Sequence, residues 1–369
     1  MKFSAILTCA QPDAFTQTET LERATRLAEV AERAGYEGIW LLEHHFTPYG
    51  LCPSPLTMAS YLLGRTRTLR VGTAVCVLPL YHPLRFAEDV ALVDQLSGGR
   101  LDVGIGRGGG ERDFAAFGAD PKKSHLITKE WLDIITTAWR GEPFDWSSEL
   151  IELPTVAVNP RPLTDRPPLY YACQSPSSVE LAARFGMGMM LSYWLEHETL
   201  QSQIELYDEL RESAGAPEPA GGHVAACIAF PADTRQEAVD AVRPHLTWWR
   251  REAQNVFFKL DALRRLGNYD HQVHEWEREI VRGRAATDGT MDQSSVDRLL
   301  SLNPVGTVNE CIDKLGALAE STGVEHFLCG FEGPADEGRV VEAMWRFAEE
   351  VAPALSTAAE HNPVPASRT

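Results

Sequence analysis

Glu43, His44 and His45 follow directly on a short β-type run, Gly38 to Leu42, and a histidine beside a carboxylate is a pairing that proton transfer uses, because imidazole titrates near working pH. Two adjacent histidines could also ligate a metal. Neighbours on extended backbone point to opposite faces, however, so no metal is expected and the choice lies between a proton-transfer His44 and a structural rim histidine. A second cluster is Gly104, Gly106 and Gly109, a G-x-G-x-x-G pattern after a strand-like run. The dinucleotide fingerprint needs a helix opening at the last glycine, and Gly108, Gly110, Gly118 and Pro121 argue that the stretch stays irregular. It then reads either as a plain loop or as backbone that approaches a ligand, with Arg107 supplying a cation. A third cluster, Gln174, Ser175, Pro176, Ser177 and Ser178, is ordinary helix-start chemistry, and the same geometry offers amides and hydroxyls to a phosphate.

These residues need elements to hold them. Short β-rich runs alternate with segments of helical period along the whole chain. The strand candidates are Lys2 to Cys9, Gly38 to Leu42, Leu69 to Leu78, Leu101 to Ile105, Pro168 to Cys173, Met187 to Leu191, Val224 to Phe230 and Val324 to Cys329. Helical runs such as Thr20 to Ala34, Leu84 to Gln95, Lys129 to Arg140, Thr234 to Trp249 and Glu337 to Val351 separate them. Eight strands with intervening helices and no linker predict an α/β fold, a single (β/α)8 TIM barrel over residues 1–355. That fold puts all three clusters at the C-terminal ends of strands, where such barrels carry their sites. Two insertions stand out: residues 142–166, expected to form a hairpin before the fifth strand, and the polar residues 259–303, a candidate mobile lid before the last strand. Tyr49, Tyr81, Tyr193, Trp194, Trp248 and Trp249 lie near strand ends or in the seventh helix and read singly as core or interface. Residues 356–369 are expected to be a disordered tail.

Composition removes whole classes of function. At 369 residues, with 44% hydrophobic and 23% charged, the chain has an ordinary globular make-up. Its 52 acidic against 34 basic residues give a formal charge of −18, which repels nucleic acid and anionic lipid, so neither partner is expected. The seven cysteines are odd in number and widely spaced, and most sit in apolar runs, the pattern of buried thiols in a reducing cytoplasm. The chain opens on a strand-like run without a signal-peptide pattern and holds no apolar stretch of membrane-spanning length.

Several blocks, taken together and in order, carry a resemblance. They are Leu41-Leu42-Glu43-His44-His45-Phe46-Thr47; Val71-Gly72-Thr73-Ala74-Val75 with His82-Pro83; Glu88-Asp89-Val90; Arg107-Gly108 with Asp113-Phe114; Asn303-Pro304-Val305-Gly306-Thr307; and Cys329-Gly330-Phe331-Glu332. Nearly end to end, the chain resembles the luciferase-like flavin-dependent monooxygenases, the bacterial luciferase alpha subunit among them. The resemblance implies a barrel that takes reduced FMN from a separate flavin reductase, reacts it with O₂ to a C4a-hydroperoxyflavin, and oxygenates a small organic substrate. By position, His44 would be the acid/base, Ala74-Val75 a non-proline cis peptide beside the flavin ring with Gly106 nearby, and Arg107, Gln174, Ser175 and Ser178 the holders of the FMN phosphate. A homodimer through the helices after the second and third strands is also implied.

The sequence departs from the luciferase pattern in four places. Gly106 stands where the family carries a reactive cysteine, His125 where it carries an arginine, Gln174 where it carries an acid, and Val75 is bulkier than the usual alanine. These changes weigh against long-chain aldehyde oxidation with light emission, which is one alternative; a deazaflavin-dependent oxidoreductase and a non-catalytic partner subunit are others. Scarce lysine beside abundant arginine and alanine suits a GC-rich bacterial source and points to a secondary metabolite such as a polyketide as substrate.

Overall fold

The computed structural model describes residues 1–192, 194–257, 259–281, 293–333 and 336–361; Tyr193 and the end of the tail, 362–369, lie outside them. The strands are β1 Lys2–Leu7, β2 Gly38–Leu41, β3 Arg70–Thr73, β4 Cys76–Val77, β5 Leu101–Gly106, β6 Phe144–Ser147, β7 Glu152–Val156, β8 Leu169–Ala172, β9 Gly188–Leu191, β10 Val224–Ile228, β11 Phe230–Ala232, β12 Val305–Thr307 and β13 His326–Gly330. The helices are α1 Gln17–Arg33, α2 Pro55–Arg65, α3 Pro83–Ser97, α4 Glu111–Phe117, α5 Ser124–Trp139, α6 Pro176–Arg184, α7 His197–Ala214, α8 Arg235–Val256, α9 Leu260–Leu266, α10 Asp270–Val281, α11 Gln293–Leu302, α12 Val308–Thr322, α13 Glu337–Arg346 and α14 Ala352–His361. Every pairing in the main sheet is parallel, in the order β3-β2-β1-β13-β10-β9-β8-β5-β4. Because β3 also pairs with β5, the sheet closes, and with β3 and β4 as one interrupted strand it is the expected eight-stranded barrel.

Alternation along each strand decides which side chains fill the barrel. On β5, Leu101, Val103 and Ile105 join the apolar layer under the helices, while Asp102, Gly104 and Gly106 face inward. Arg70 seals the N-terminal end with two hydrogen bonds to the buried Asp102, at 2.8 and 2.7 Å. Above it, Ile6, Trp40, Tyr170, Val224 and Leu328 plug the interior, with Trp40 and Tyr170 edge to face at 5.1 Å. Leu42, Ala74, Met190 and Ala226 lie on this plug and are only partly buried. The barrel is therefore solid below, with a floor of small or flexible apolar groups facing its C-terminal mouth.

The third strand breaks where the sequence gives an unbroken run from Leu69 to Leu78. Gly72 pairs with Asp102 and Cys76 with Ile105, so Thr73, Ala74 and Val75 occupy the space opposite Val103 and Gly104, a one-residue bulge. The hydroxyl of Thr73 replaces the missing ladder: it accepts from Gly104 N at 2.9 Å and donates to Gly104 O at 2.7 Å. Gly104 has to be glycine, since a Cβ there would land on the Thr73 carbonyl oxygen. This first glycine of the G-x-G pattern thus serves strand packing rather than ligand approach.

Two further expectations change. Helix α4 opens at Glu111, two residues beyond Gly109, so the glycine-rich stretch is not irregular throughout; Asp113 and Phe114 are buried there and hold the turn in place. Residues 356–361 continue helix α14 instead of starting a disordered tail, as the helix-forming Ala358 and Ala359 allow. The hairpin of the first insertion is β6–β7, antiparallel as expected. The second insertion is helical where described, α9, α10 and α11, and residues 282–292 lie outside the described set. All seven cysteines are free and buried. Among the described residues no helix is long and apolar enough to cross a membrane.

Replacing Thr73 by valine keeps the shape and removes the hydroxyl, leaving the buried N–H and C=O of Gly104 without their partner. The expected loss is about 1–3 kcal/mol, read as a lower urea midpoint at unchanged slope. An unchanged midpoint would show that the bulge does not depend on this hydroxyl.

Candidate active site

The loop after β2 is held by the Glu43 carboxylate, whose side chain is 1% exposed. Its Oε1 lies 2.9 Å from His45 Nε2, which donates to it, and its Oε2 accepts from Tyr81 OH at 2.6 Å and Val77 N at 3.1 Å. Burial, with Cys76 and Glu43 beside it, pushes the Tyr81 hydroxyl far up, so it remains a donor. One buried carboxylate therefore ties the β2 loop to the strand just beyond the bulge.

Since His45 is turned toward Glu43, His44 is turned away. Its ring meets Tyr49 edge to face at 4.5 Å and lies 6.1 Å from Phe257, and Tyr49 in turn stacks on Trp249 at 4.9 Å. His44 Nε2 is buried with no hydrogen-bond partner. Burial, then the neighbouring His45, pushes the His44 imidazole down to about 3, so it is neutral at working pH. A buried polar atom without a partner costs about 1–3 kcal/mol, and a bound group that offered this nitrogen a hydrogen bond would recover that cost.

Ala74 and Val75 are joined by a cis peptide bond at the mouth. The Val75 side chain lies over Gly106: a Cβ at position 106 would stand 2.8 Å from Val75 Cγ2 and 3.6 Å from Ala172 Cβ. The two departures at these positions are thus one change. Val75 fills the space that a side chain at 106 would need, so the site is apolar here and carries no thiol.

Arg107 and Gln174-Ser175 sit at neighbouring strand ends, because β5 and β8 pair in register through Ile105 and Tyr171. Among the described residues no hydrogen bond joins Arg107 to Gln174, Ser175 or Ser178. Ser178 Oγ instead accepts from Gln174 N at 3.0 Å and Ser175 N at 2.9 Å, and Ser175 caps α6 through Ser178 N. Arg107 is engaged by the second insertion, donating to Asn268 O at 2.8 Å and Gln272 Oε1 at 3.3 Å, with its guanidinium 4.0 Å from the Tyr269 ring centroid. His125 is half-buried, and burial, then Arg107, lower its pKa. The arrangement puts apolar groups on the floor, a neutral imidazole on one wall, and a guanidinium with a capped helix start at the rim, which suits a planar ring with an anionic tail.

Sequence reading missed Phe257 and Tyr269, both in or beside the segment it took as a polar insertion. The available signal was an aromatic residue just before the polar segment, in Val256-Phe257, and one within it, beside Asp270. Their contacts, to His44 and Arg107, lie too far away along the chain to be inferred from spacing. Of the aromatics read as core, Tyr49 and Trp249 are buried, but they build the wall beside His44.

Residues 1–326 match the family of luciferase-like monooxygenases. The alkanal monooxygenase alpha chain of Photorhabdus laumondii subsp. laumondii is 35% identical over 356 residues, 96% of this chain and 98% of that one. A monooxygenase from Streptomyces bottropensis has a similar crystal structure, with a TM-score of 0.76 and 25% identity over 96% of this chain and 99% of that one. The oxygenating constituent of 3,6-diketocamphane monooxygenase from Pseudomonas putida, solved in complex with FMN, also has a TM-score of 0.76, at 21% identity over 96% and 98% of the two chains. Matched along almost its whole length in sequence and in barrel architecture, the chain belongs to the luciferase-like monooxygenases.

Proposed function

We propose that this protein is a two-component flavin monooxygenase that takes reduced FMN from a separate reductase and oxygenates a small neutral or aromatic organic molecule, such as a polyketide. The observation that carries this reading is the buried, unpartnered Nε2 of His44 in an aromatic wall beside an apolar barrel mouth. Bound reduced FMN supplies the two electrons with which one atom of O₂ enters the substrate and the other leaves as water. Leu42, Ala74, Met190 and Ala226 would receive the flavin ring, with Val75 and Gly106 at its edge. Arg107 would receive the phosphate together with Gln174, Ser175 and Ser178 at the start of α6.

His44 stays neutral while the site is apolar, and negative charge arriving beside Nε2 raises its pKa, so the imidazole takes a proton only against bound ligand. Tyr49, Trp249 and Phe257 keep bulk water from that nitrogen. Long-chain aldehyde oxidation is the second reading, favoured by the alkanal monooxygenase relative. Against it stands the pairing of Val75 with Gly106, which leaves this part of the mouth apolar. Tyr61, Leu92 and Leu96 leave α2 and α3 with large apolar groups 51%, 47% and 72% exposed, which supports a homodimer through these helices. Sedimentation equilibrium is expected to give two chains per particle, and a monomer at micromolar concentration would contradict it.

Anaerobic titration is expected to show saturable binding of reduced FMN and none of reduced deazaflavin; exclusive binding of deazaflavin would overturn the assignment. With a flavin reductase and decanal, little light is expected, and robust luminescence would favour the aldehyde reading. His44→Ala is expected to keep reduced-FMN affinity within about threefold while slowing turnover of an accepted substrate by about 10²–10⁴-fold. Unchanged product formation would remove His44 from the chemistry.

A further inference from the structure

We infer that Tyr269 is a positioning residue for Arg107, a ring on which the guanidinium rests so that its remaining donors are left for the FMN phosphate; this rests on the FMN reading above. Arginine on a glycine-rich strand end has many rotamers, and fixing it costs side-chain entropy that a phosphate would otherwise have to offset on binding. Here the guanidinium carbon lies 4.0 Å from the Tyr269 centroid, and Asn268 O and Gln272 Oε1 take two of its five N–H donors. Among the described residues the other three donors have no hydrogen-bond partner, which leaves them for an anion.

The ring is itself fixed. Tyr269 OH donates to Gly108 O at 3.3 Å and lies 3.3 Å from Ser124 Oγ, and its ring is buried in a cluster with Phe114, Leu260 and Leu263. Asn268 Nδ2 donates to Pro121 O at 2.9 Å and Lys122 O at 3.1 Å, binding the turn between α9 and α10 to the segment that follows α4. Tyr269 thus stands on a frame made from both sides of the mouth. Its contact with Arg107 carries the order of the second insertion to the rim where the phosphate would sit.

The test compares anaerobic binding of reduced FMN with that of reduced riboflavin, which has the same ring and no phosphate. The wild-type protein is expected to prefer FMN. Tyr269→Leu, which keeps an apolar side chain in the cluster, is expected to bind FMN about 3–30-fold more weakly with riboflavin affinity unchanged, and Tyr269→Phe to stay within about twofold of wild type. Pentafluorophenylalanine at position 269 keeps the shape of phenylalanine and removes the negative ring face, so it gives the same reading should the leucine variant not fold. Its FMN affinity is expected to fall below that of Tyr269→Phe. Retained FMN preference in both the leucine and the fluorinated variants, or an equal loss for both flavins, would overturn the positioning role. No FMN preference in the wild-type protein would instead overturn the FMN reading, and with it this inference.

Discussion

One buried carboxylate organises the mouth of this barrel. Glu43 accepts from His45, Tyr81 and the amide of Val77, so the loop after β2 and the strand beyond the bulge are fixed to each other through a single side chain. Because neighbouring side chains on extended backbone alternate, fixing His45 on Glu43 places His44 on the other face, against Tyr49. A buried carboxylate with three donors is well satisfied. A buried imidazole nitrogen with none is not, and the contrast between these adjacent residues is what makes the site.

The rest of the mouth separates apolar and anionic demands. Its floor is built from partly buried apolar groups on a solid plug, while Arg107 and the α6 cap stand at the rim. A formal charge of −18 is therefore no obstacle to an anionic cofactor, since one guanidinium and a few local donors suffice where the phosphate would sit. The net charge bears on what the surface repels, and the local geometry bears on what the mouth receives.

Much of this was legible in the sequence because it depends on local periodicity. All eight barrel strands lie within a few residues of their expected bounds, since alternation, turn residues and helical period are short-range signals, and the β6–β7 hairpin takes up the first part of the segment expected to hold one. What escaped depends on pairing across the barrel. The break of the third strand follows from its register with β5 and from the Thr73 hydroxyl meeting Gly104, which no pattern within 69–78 encodes. Gly106 and Val75 read as separate departures until the structure placed one over the other. Likewise His44 and Arg107 were visible as residues, whereas Phe257 and Tyr269, their partners, come from much later in the chain.

The central claim is that His44 is held neutral in an apolar wall by burial. Specific ¹⁵N labelling of histidine, with His44 assigned by its loss in His44→Ala, allows its ring nitrogens to be followed by NMR from pH 8 down to 5. The account predicts a neutral imidazole throughout the range, as a pKa pushed down to about 3 requires. Titration of His44 near 6.5, the value of a solvated histidine, would contradict it.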